Sequence, residues 1–382
     1  MPSVITSNIG SGLALQPDAS GQLQFSTGYG GTQLTLANNV LTMGSNVAMT
    51  MGDGTQWYTA QSLGTRNRII NGGMQVAQYG TSVAPTVSNF TYSMDRFFCA
   101  INSGTSGYTV TQLSQANTGL SGFYNALRYQ RNSGQTNTTT MAFGQTIETA
   151  NCYDLAGQTV TLSFWARAGS NFSAASSQIT ARIATGTGVD QGSAGAYNGT
   201  WTGYAQTNTV VTISTSWVRY SIAVTIPAGV NEIQILFYWA GVGTAGTNDY
   251  ADFTGIQFEA GPVATPFERR LYGTELALCQ RYYQSLINPK LNGTAGSSTA
   301  MNRMGCNLLQ QMRTTPTAYT LTGTIPIFNG VTVGTITSIS VSYYSIGTLE
   351  FDSTAATGTF AANQPITSYV SGTYTIAINA EL

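Results

Sequence analysis

Val218-Arg219-Tyr220-Ser221-Ile222-Ala223-Val224-Thr225-Ile226 and Ile233-Gln234-Ile235-Leu236-Phe237-Tyr238-Trp239 decide the fold class. Apolar residues recur at every second position in both runs, the period of a strand with one face in a core and not the 3.6-residue period of a helix. Tyr108–Leu113, Thr159–Ala166, Ile179–Ile183 and Val210–Ile213 read the same way, with Gly, Asn and Ser turns between them. Many such strands between residues 69 and 270 predict a two-sheet sandwich. Phe164, Trp165, Tyr238 and Trp239 are expected in its core.

Downstream, Thr274-Glu275-Leu276-Ala277-Leu278-Cys279-Gln280-Arg281-Tyr282-Tyr283 is the clearest helix, with Gly273 or Thr274 as its cap. Asn292–Thr299 reads as a loop. Apolar runs beyond it, Ala318–Leu321, Val331–Val333, Ile336–Tyr344, Gly347–Phe351 and Tyr374–Ala380, predict a smaller antiparallel sandwich in which the last strand pairs with an earlier one. Upstream, short apolar groups such as Leu13-Ala14-Leu15, Leu23-Gln24-Phe25, Leu34-Thr35-Leu36 and Val40-Leu41-Thr42-Met43 alternate with polar punctuation. Strands this short bury too little surface in a single chain, so Leu34, Leu36, Leu41 and Met43 are expected to pack against other copies. The expected class is all-β throughout.

Composition limits the chemistry. The 382 residues include no histidine, 14 basic and 15 acidic side chains, and one lysine, Lys290. Serine or cysteine nucleophiles activated by histidine are excluded, as are histidine zinc sites. A net charge of -1 provides no field for nucleic acid. No apolar run reaches a membrane span, and the first residues do not read as a classical secretion signal. Cys99, Cys152, Cys279 and Cys306 are too few and too scattered for a disulfide scaffold, and buried thiols are expected, with a Cys99–Cys152 pair as the alternative.

Paired carboxylates are the acid/base chemistry left open. Asp95, Glu148, Asp154, Asp190, Glu232, Asp249, Asp252, Glu259 and Glu268 are candidates, but no spacing selects a pair. Asp249 and Asp252 offer the beginnings of a calcium site without the spacing of an EF-hand, and solvated turn acids are the better reading. No catalytic residue, metal or cofactor is assigned. Sugar recognition needs only flat aromatic faces and oriented amides, which Tyr197, Asn198, Trp201, Tyr204 and Gln206 supply among glycines. Met94-Asp95-Arg96-Phe97-Phe98 reads as a sheet-edge element. Glu268, Arg269, Arg270 and Arg281 read as ion-pairing residues at a domain or subunit interface.

Asn71-Gly72-Gly73-Met74-Gln75, Met94-Asp95-Arg96-Phe97 and Val160–Trp165 are followed by two long strings, Ile256–Arg270 and Tyr272–Tyr283, and then by Met312–Thr317. Together they resemble the tail fibre proteins of tailed bacteriophages and prophages over residues 69 to 317. Phe97 stands where that family often has Trp, and Met94 where Ala is common, which marks position 97 as packing. The resemblance implies a jelly-roll centre similar to carbohydrate-binding modules, a homotrimer on the virion tail, and contact with host-surface polysaccharide. The expected organisation is an attachment and trimerisation segment over 1–68, a jelly roll over 69–270, a linking helix over 271–288 and a sandwich tip over 289–382. The segment 1–68 would meet a tail, baseplate or adaptor protein. Nucleic-acid binding, membrane insertion and enzymatic activity are not expected.

Overall fold

The computed structural model describes residues 66–382 except 88–89, 105, 115–117, 297–300, 317, 358–359 and 370–371, together with five earlier strands. The chain divides into two compact units, Met1–Arg66 and Asn67–Leu382. In the first, Leu23–Ser26, Thr32–Ala37 and Val40–Met43 form an antiparallel sheet, and Ala48–Thr50 pairs with Gln56–Tyr58. Its register sets Leu23 opposite Leu36, Phe25 opposite Leu34, Leu34 opposite Met43 and Leu36 opposite Leu41. These six positions therefore share one face of the pleat. Leu13-Ala14-Leu15 lies outside the described residues.

The second unit is all-β and begins with a jelly roll. Its first sheet runs, in space, Val218–Thr225, Thr159–Ala168, Tyr250–Ala260 and Ala126–Arg131. The facing sheet runs Ala205–Thr212, Gln178–Gly186, Glu232–Ala240 and Thr140–Ile147. Eight consecutive strands in this order are the jelly-roll topology. Further short strands, including Tyr108–Leu113 and Phe98–Ile101, extend both sheets. Between them Phe143, Phe164, Phe237, Phe253 and Trp239 interlock, with ring centroids 4.7 Å apart for Phe143–Phe253 and Phe164–Phe237. Each such ring contributes roughly 1.5–3 kcal/mol by leaving water. Phe97 joins this core, while Trp165 and Tyr238 are half-buried on outer faces, contrary to expectation.

Tyr250–Ala260 is buried from Ala251 to Glu259 without a break, so it lacks the alternation that reveals a strand with one wet face. Its register against Thr159–Ala168 breaks between Ser163 and Trp165, where Gly255 has φ +60°. This bulge leaves Ile256 outside the ladder. The segment before the jelly roll fills the gap. Ile256 donates to the Gly72 carbonyl (2.9 Å), Asn67 Nδ2 donates to the Ile256 carbonyl (3.1 Å), and Arg68 N–H reaches the Phe258 carbonyl (2.8 Å). Asn71 and Met74 turn the chain through left-handed φ values of 61° and 57°. A Cβ on Gly72 would run into the Ile256 carbonyl oxygen, so glycine is required by close approach.

The helix is Tyr272–Gln280, capped by Leu271 without a side-chain hydrogen bond. It starts and stops earlier than periodicity suggests, because Tyr283–Ile287 is already a strand. That strand, Thr375–Asn379 and Ala318–Thr322 form a sheet with Thr375–Asn379 in the middle. Beside it, Asn292–Ala295, Met301–Asn307, Thr348–Thr357, Val333–Tyr344, Ile325–Phe328 and Pro365–Ser368 close into an antiparallel barrel. The expected sandwich is thus a barrel: register breaks between Val333–Tyr344 and Thr348–Thr357 curve the sheet until its edges meet, which removes open edges. Asn292–Ala295, expected in a loop, is one of its strands.

Gly72→Ala is expected to lower unfolding free energy by about 2 kcal/mol or more in urea titrations, since a methyl cannot be seated without breaking the Ile256 contact. Gly273→Ala, in the helix with open space around its Cα, should be neutral or stabilising by up to about 1 kcal/mol. Equal effects at both positions would contradict the close-approach account.

Candidate functional site

The candidate carboxylates are mostly engaged with the protein itself. Asp252, fully buried, accepts Arg128 Nε (2.8 Å) and Nη2 (3.0 Å) and Arg167 Nε (2.8 Å). Asp249 accepts Arg131 Nη1 (2.9 Å), Ser173 Oγ (2.6 Å) and Ser173 N–H (3.0 Å). The two acids are therefore neither solvated turn residues nor a calcium pair: Asp252 faces Arg128 and Arg167, and Asp249 faces Arg131. Arg131 also donates to the carbonyls of Gln135, Asn137 and Gly243, pinning the loops above the sheet. Glu148 accepts Arg281 Nη2 (2.7 Å) and Tyr282 Oη (2.9 Å). Glu259 accepts the Thr265 N–H (2.9 Å) and hydroxyl (2.6 Å). Asp190 faces Arg313 (3.3 Å), and Asp154 faces Arg68 (2.6 Å).

Glu268, Arg269, Arg270 and Arg281, expected at a domain or subunit interface, each have partners within the chain. Glu268 accepts the Asn67 N–H (2.6 Å), Arg270 donates to the Asn67 and Ile69 carbonyls and meets Glu275 (3.3 Å), and Arg269 lies 4.7 Å from the Phe123 ring. Arg281 ties the end of the helix to the end of a jelly-roll strand through Glu148. Asp95 and Arg96 form a buried turn, not a sheet edge: Arg96 pairs with Glu381, donates to the Thr146 carbonyl (2.6 Å) and lies over Tyr282 at 3.5 Å. All four cysteines are free. Burial pushes the Cys99 and Cys152 thiols up to about 12, which removes thiolate reactivity at neutral pH.

The predicted sugar loop separates into two parts. Trp201 is buried against Ala184 and Ala196, and its Nε1–H donates to the Gly192 carbonyl (3.0 Å). It anchors the loop and offers no face to a sugar, which corrects its assignment. Tyr204 packs in the same cluster, and its hydroxyl bonds Gln206 Oε1 (2.5 Å), an atom that also accepts from Arg182 (3.3 Å). Gln206 is exposed on an edge strand. Tyr197 and Asn198 end the short helix Ser193–Asn198, which Gly199 stops in the left-handed region at φ 73°.

Those two residues border a cleft of about 220 Å³ whose opposite wall includes Val87, Phe90, Ile101 and Asn102. Phe90 meets Tyr197 edge-to-face at 5.6 Å, and the Tyr197 hydroxyl bonds Asn102 Oδ1. Asn102 and Asn198 are exposed, while Phe90 and Tyr197 are half-buried. Burial raises the Tyr197 pKa, so its hydroxyl keeps its proton and remains a donor. Among the described residues the cleft's lining carries no carboxylate or amine and is shaped for apolar ring contact plus neutral hydrogen bonding. Sequence reasoning missed Phe90 and Asn102 because they reach Tyr197 only through the packing of distant segments.

No family model matches the chain, and no curated protein does. Among similar solved structures is the enzymatically active domain of bacteriophage CBA120 tailspike protein 4, at 14% identity and TM-score 0.32, covering 51% of this chain and 21% of that one. The chain thus spans about a fifth of that tailspike chain. TmCBM61 in complex with beta-1,4-galactotriose is 12% identical, with TM-score 0.29 over 52% of this chain and 99% of that one. A putative sugar binding protein from Bacteroides thetaiotaomicron is 13% identical, with TM-score 0.30 over 51% of this chain and 100% of that one.

Asp95 sets a pH dependence. Burial pushes its carboxyl up to about 6, against hydrogen bonds from Gln78 and the nearby Arg96, which lower it. The folded chain therefore holds this proton more tightly than the unfolded chain, so the contribution to stability is complete below pH 4 and is lost as pH rises through 6. Asp95→Asn should gain about 3 kcal/mol relative to wild type between pH 4 and pH 7.5, read from denaturant titrations at each pH. A difference that does not change with pH would show that Asp95 is ionised throughout.

Proposed function

We propose that this chain is the subunit of a homotrimeric tail fibre of a tailed phage or prophage, docked to the virion tail through its N-terminal segment. It binds host-surface polysaccharide without cleaving it. The observation that carries glycan binding is the cleft in which Tyr197 and Phe90 form an aromatic corner between the exposed amides of Asn102 and Asn198. Binding without hydrolysis is supported by carboxylates held by arginines, hydroxyls and backbone N–H groups, which leaves them poorly placed to flank a scissile bond. The fibre assignment rests on the strings Ile256–Arg270 and Tyr272–Tyr283 and their resemblance to tail fibres.

Trimerisation draws support from the three-stranded sheet that gathers apolar positions 23, 25, 34, 36, 41 and 43 on one face. So small a sheet needs something to cover that face. Three copies would also raise effective concentration on a repeating polymer, so that a weak site suffices.

Tyr197→Ala in the purified full chain should reduce binding to host cells and to their extracted polysaccharide by roughly tenfold or more while costing only about 1 kcal/mol of stability, so that the variant stays folded in the assay. Trp201→Ala should instead destabilise the fold by about 3 kcal/mol or more, the cost of removing a buried indole. Release of reducing ends from that polysaccharide would establish an enzyme in place of this reading. Tight association with another fibre protein and no cell binding would leave a structural adaptor.

A further inference from the structure

A second groove lies where the turn after Asn71 meets the ends of two jelly-roll strands and the first helical turn. Its lining is Gln75, Gln112, Tyr124, Asn125 and Tyr272, around about 430 Å³. Tyr124 and Tyr272 are 62% and 58% exposed, and neither hydroxyl bonds the protein among the described residues. Isolated exposed tyrosines are unremarkable on a protein surface. Two of them bordering one groove, with amides between, form a different arrangement.

The amides are held by their donor ends. Gln112 Nε2 donates to the Met74 carbonyl (2.7 Å), and Asn125 Nδ2 donates to the Leu113 carbonyl (3.1 Å). Both are fixed without using their side-chain oxygens, which accept no hydrogen bond among the described residues. Gln75 has no side-chain partner there either. The groove thus presents two aromatic rings, two oriented acceptors and one uncommitted amide. Among the described residues no ionised side chain lines it.

We infer that this groove is a binding site for neutral oligosaccharides, distinct from the cleft at Tyr197. Sugar C–H faces would pack on the Tyr124 and Tyr272 rings, and hydroxyls would donate to Gln112 Oε1 and Asn125 Oδ1. A sugar carboxylate or sulfate would meet two fixed acceptors and no cation in this lining, and the neutral donors of Gln75 and the two tyrosines would offset only part of its lost hydration. The preference is therefore for uncharged glycans. The inference extends the glycan-binding reading to other residues, so the two stand or fall separately.

The test uses the full chain and a panel of neutral hexasaccharides, namely gluco-, galacto-, manno- and xylo-oligomers, with hexagalacturonate as the acidic comparison. Binding is read by calorimetry and by tyrosine fluorescence. At least one neutral oligomer should saturate the wild type, and Tyr124→Ala and Tyr272→Ala should each weaken that binding roughly tenfold. The share of binding that the groove substitutions remove should still be present in Tyr197→Ala, and hexagalacturonate should not compete for it. Both substituted tyrosines are exposed, so their variants should melt with the wild type.

The inference is overturned if no neutral oligomer binds, if binding survives both groove substitutions, if it is lost only with Tyr197, or if the acidic oligomer competes equally. It also falls if Tyr124 and Tyr272 resist nitration in the native assembly, because the groove would then be an interface between copies. Cell binding that depends on Tyr197 but not on Tyr124 or Tyr272 would leave the first site standing while this one fails.

Discussion

Ile256 sits in a jelly-roll strand that is buried without a break from Ala251 to Glu259, yet the bulge at Gly255 removes it from the ladder of its own sheet. A buried N–H and carbonyl left without partners cost about 1–3 kcal/mol each. The segment Asn67–Gly72 supplies both partners, and much else follows from that need. Gly72 must lack a side chain to approach, and Asn71 must turn left-handed to bring the chain away. Arg270 and Glu275 then hold the same segment from the helix side, through the Asn67 and Ile69 carbonyls and the Asn71 N–H. One register break thereby joins the entry to the jelly roll, its central strand and the helix that leads to the barrel.

The scarcity of charge takes on a structural meaning. Asp249, Asp252 and Glu148 are buried opposite arginines, and Arg131 holds three loop carbonyls besides its acid. Such pairs add little net stability compared with well-packed apolar groups, because each ion must be stripped of water. Removing one partner, however, strands the other and costs several kcal/mol. Their effect is directional: they allow one arrangement of loops over the sheets. The surface is left to Gly, Ser, Thr, Asn and Gln, which suits recognition by shape and neutral hydrogen bonds.

Alternating strands such as Val218–Thr225 were legible because one face is wet and the other dry, and this carried the all-β class. Tyr250–Ala260 was not, because both its faces are covered and its buried acids imitate a polar loop. Asp249 and Asp252 look like turn residues until Arg128, Arg131 and Arg167 arrive from other strands. The barrel was read as a sandwich because closure depends on how far the sheet curves, which local alternation does not encode. At the candidate cleft, Tyr197 and Asn198 were singled out from the local sequence, while Phe90 and Asn102 depend on contacts about a hundred residues apart. Trp201 misled for the opposite reason: glycines around an aromatic can mark a tight anchored loop as well as an exposed one.

A recognition surface without ionised groups has a consequence for its environment. With no histidine in the chain, no side chain has the ordinary pKa that changes charge near neutrality. The Tyr197 hydroxyl is held protonated by burial, and the amides around both grooves do not titrate. Neutral contacts are also little screened by salt, unlike the charge-steered binding of ionic surfaces. The pH sensitivity that exists lies in the framework, where burial raises the carboxyls of Asp95 and Glu232. If both grooves bind glycan as proposed, separating the two would leave each site's affinity little dependent on ionic conditions, and the number of sites engaged would set the strength of binding to a repeating polymer.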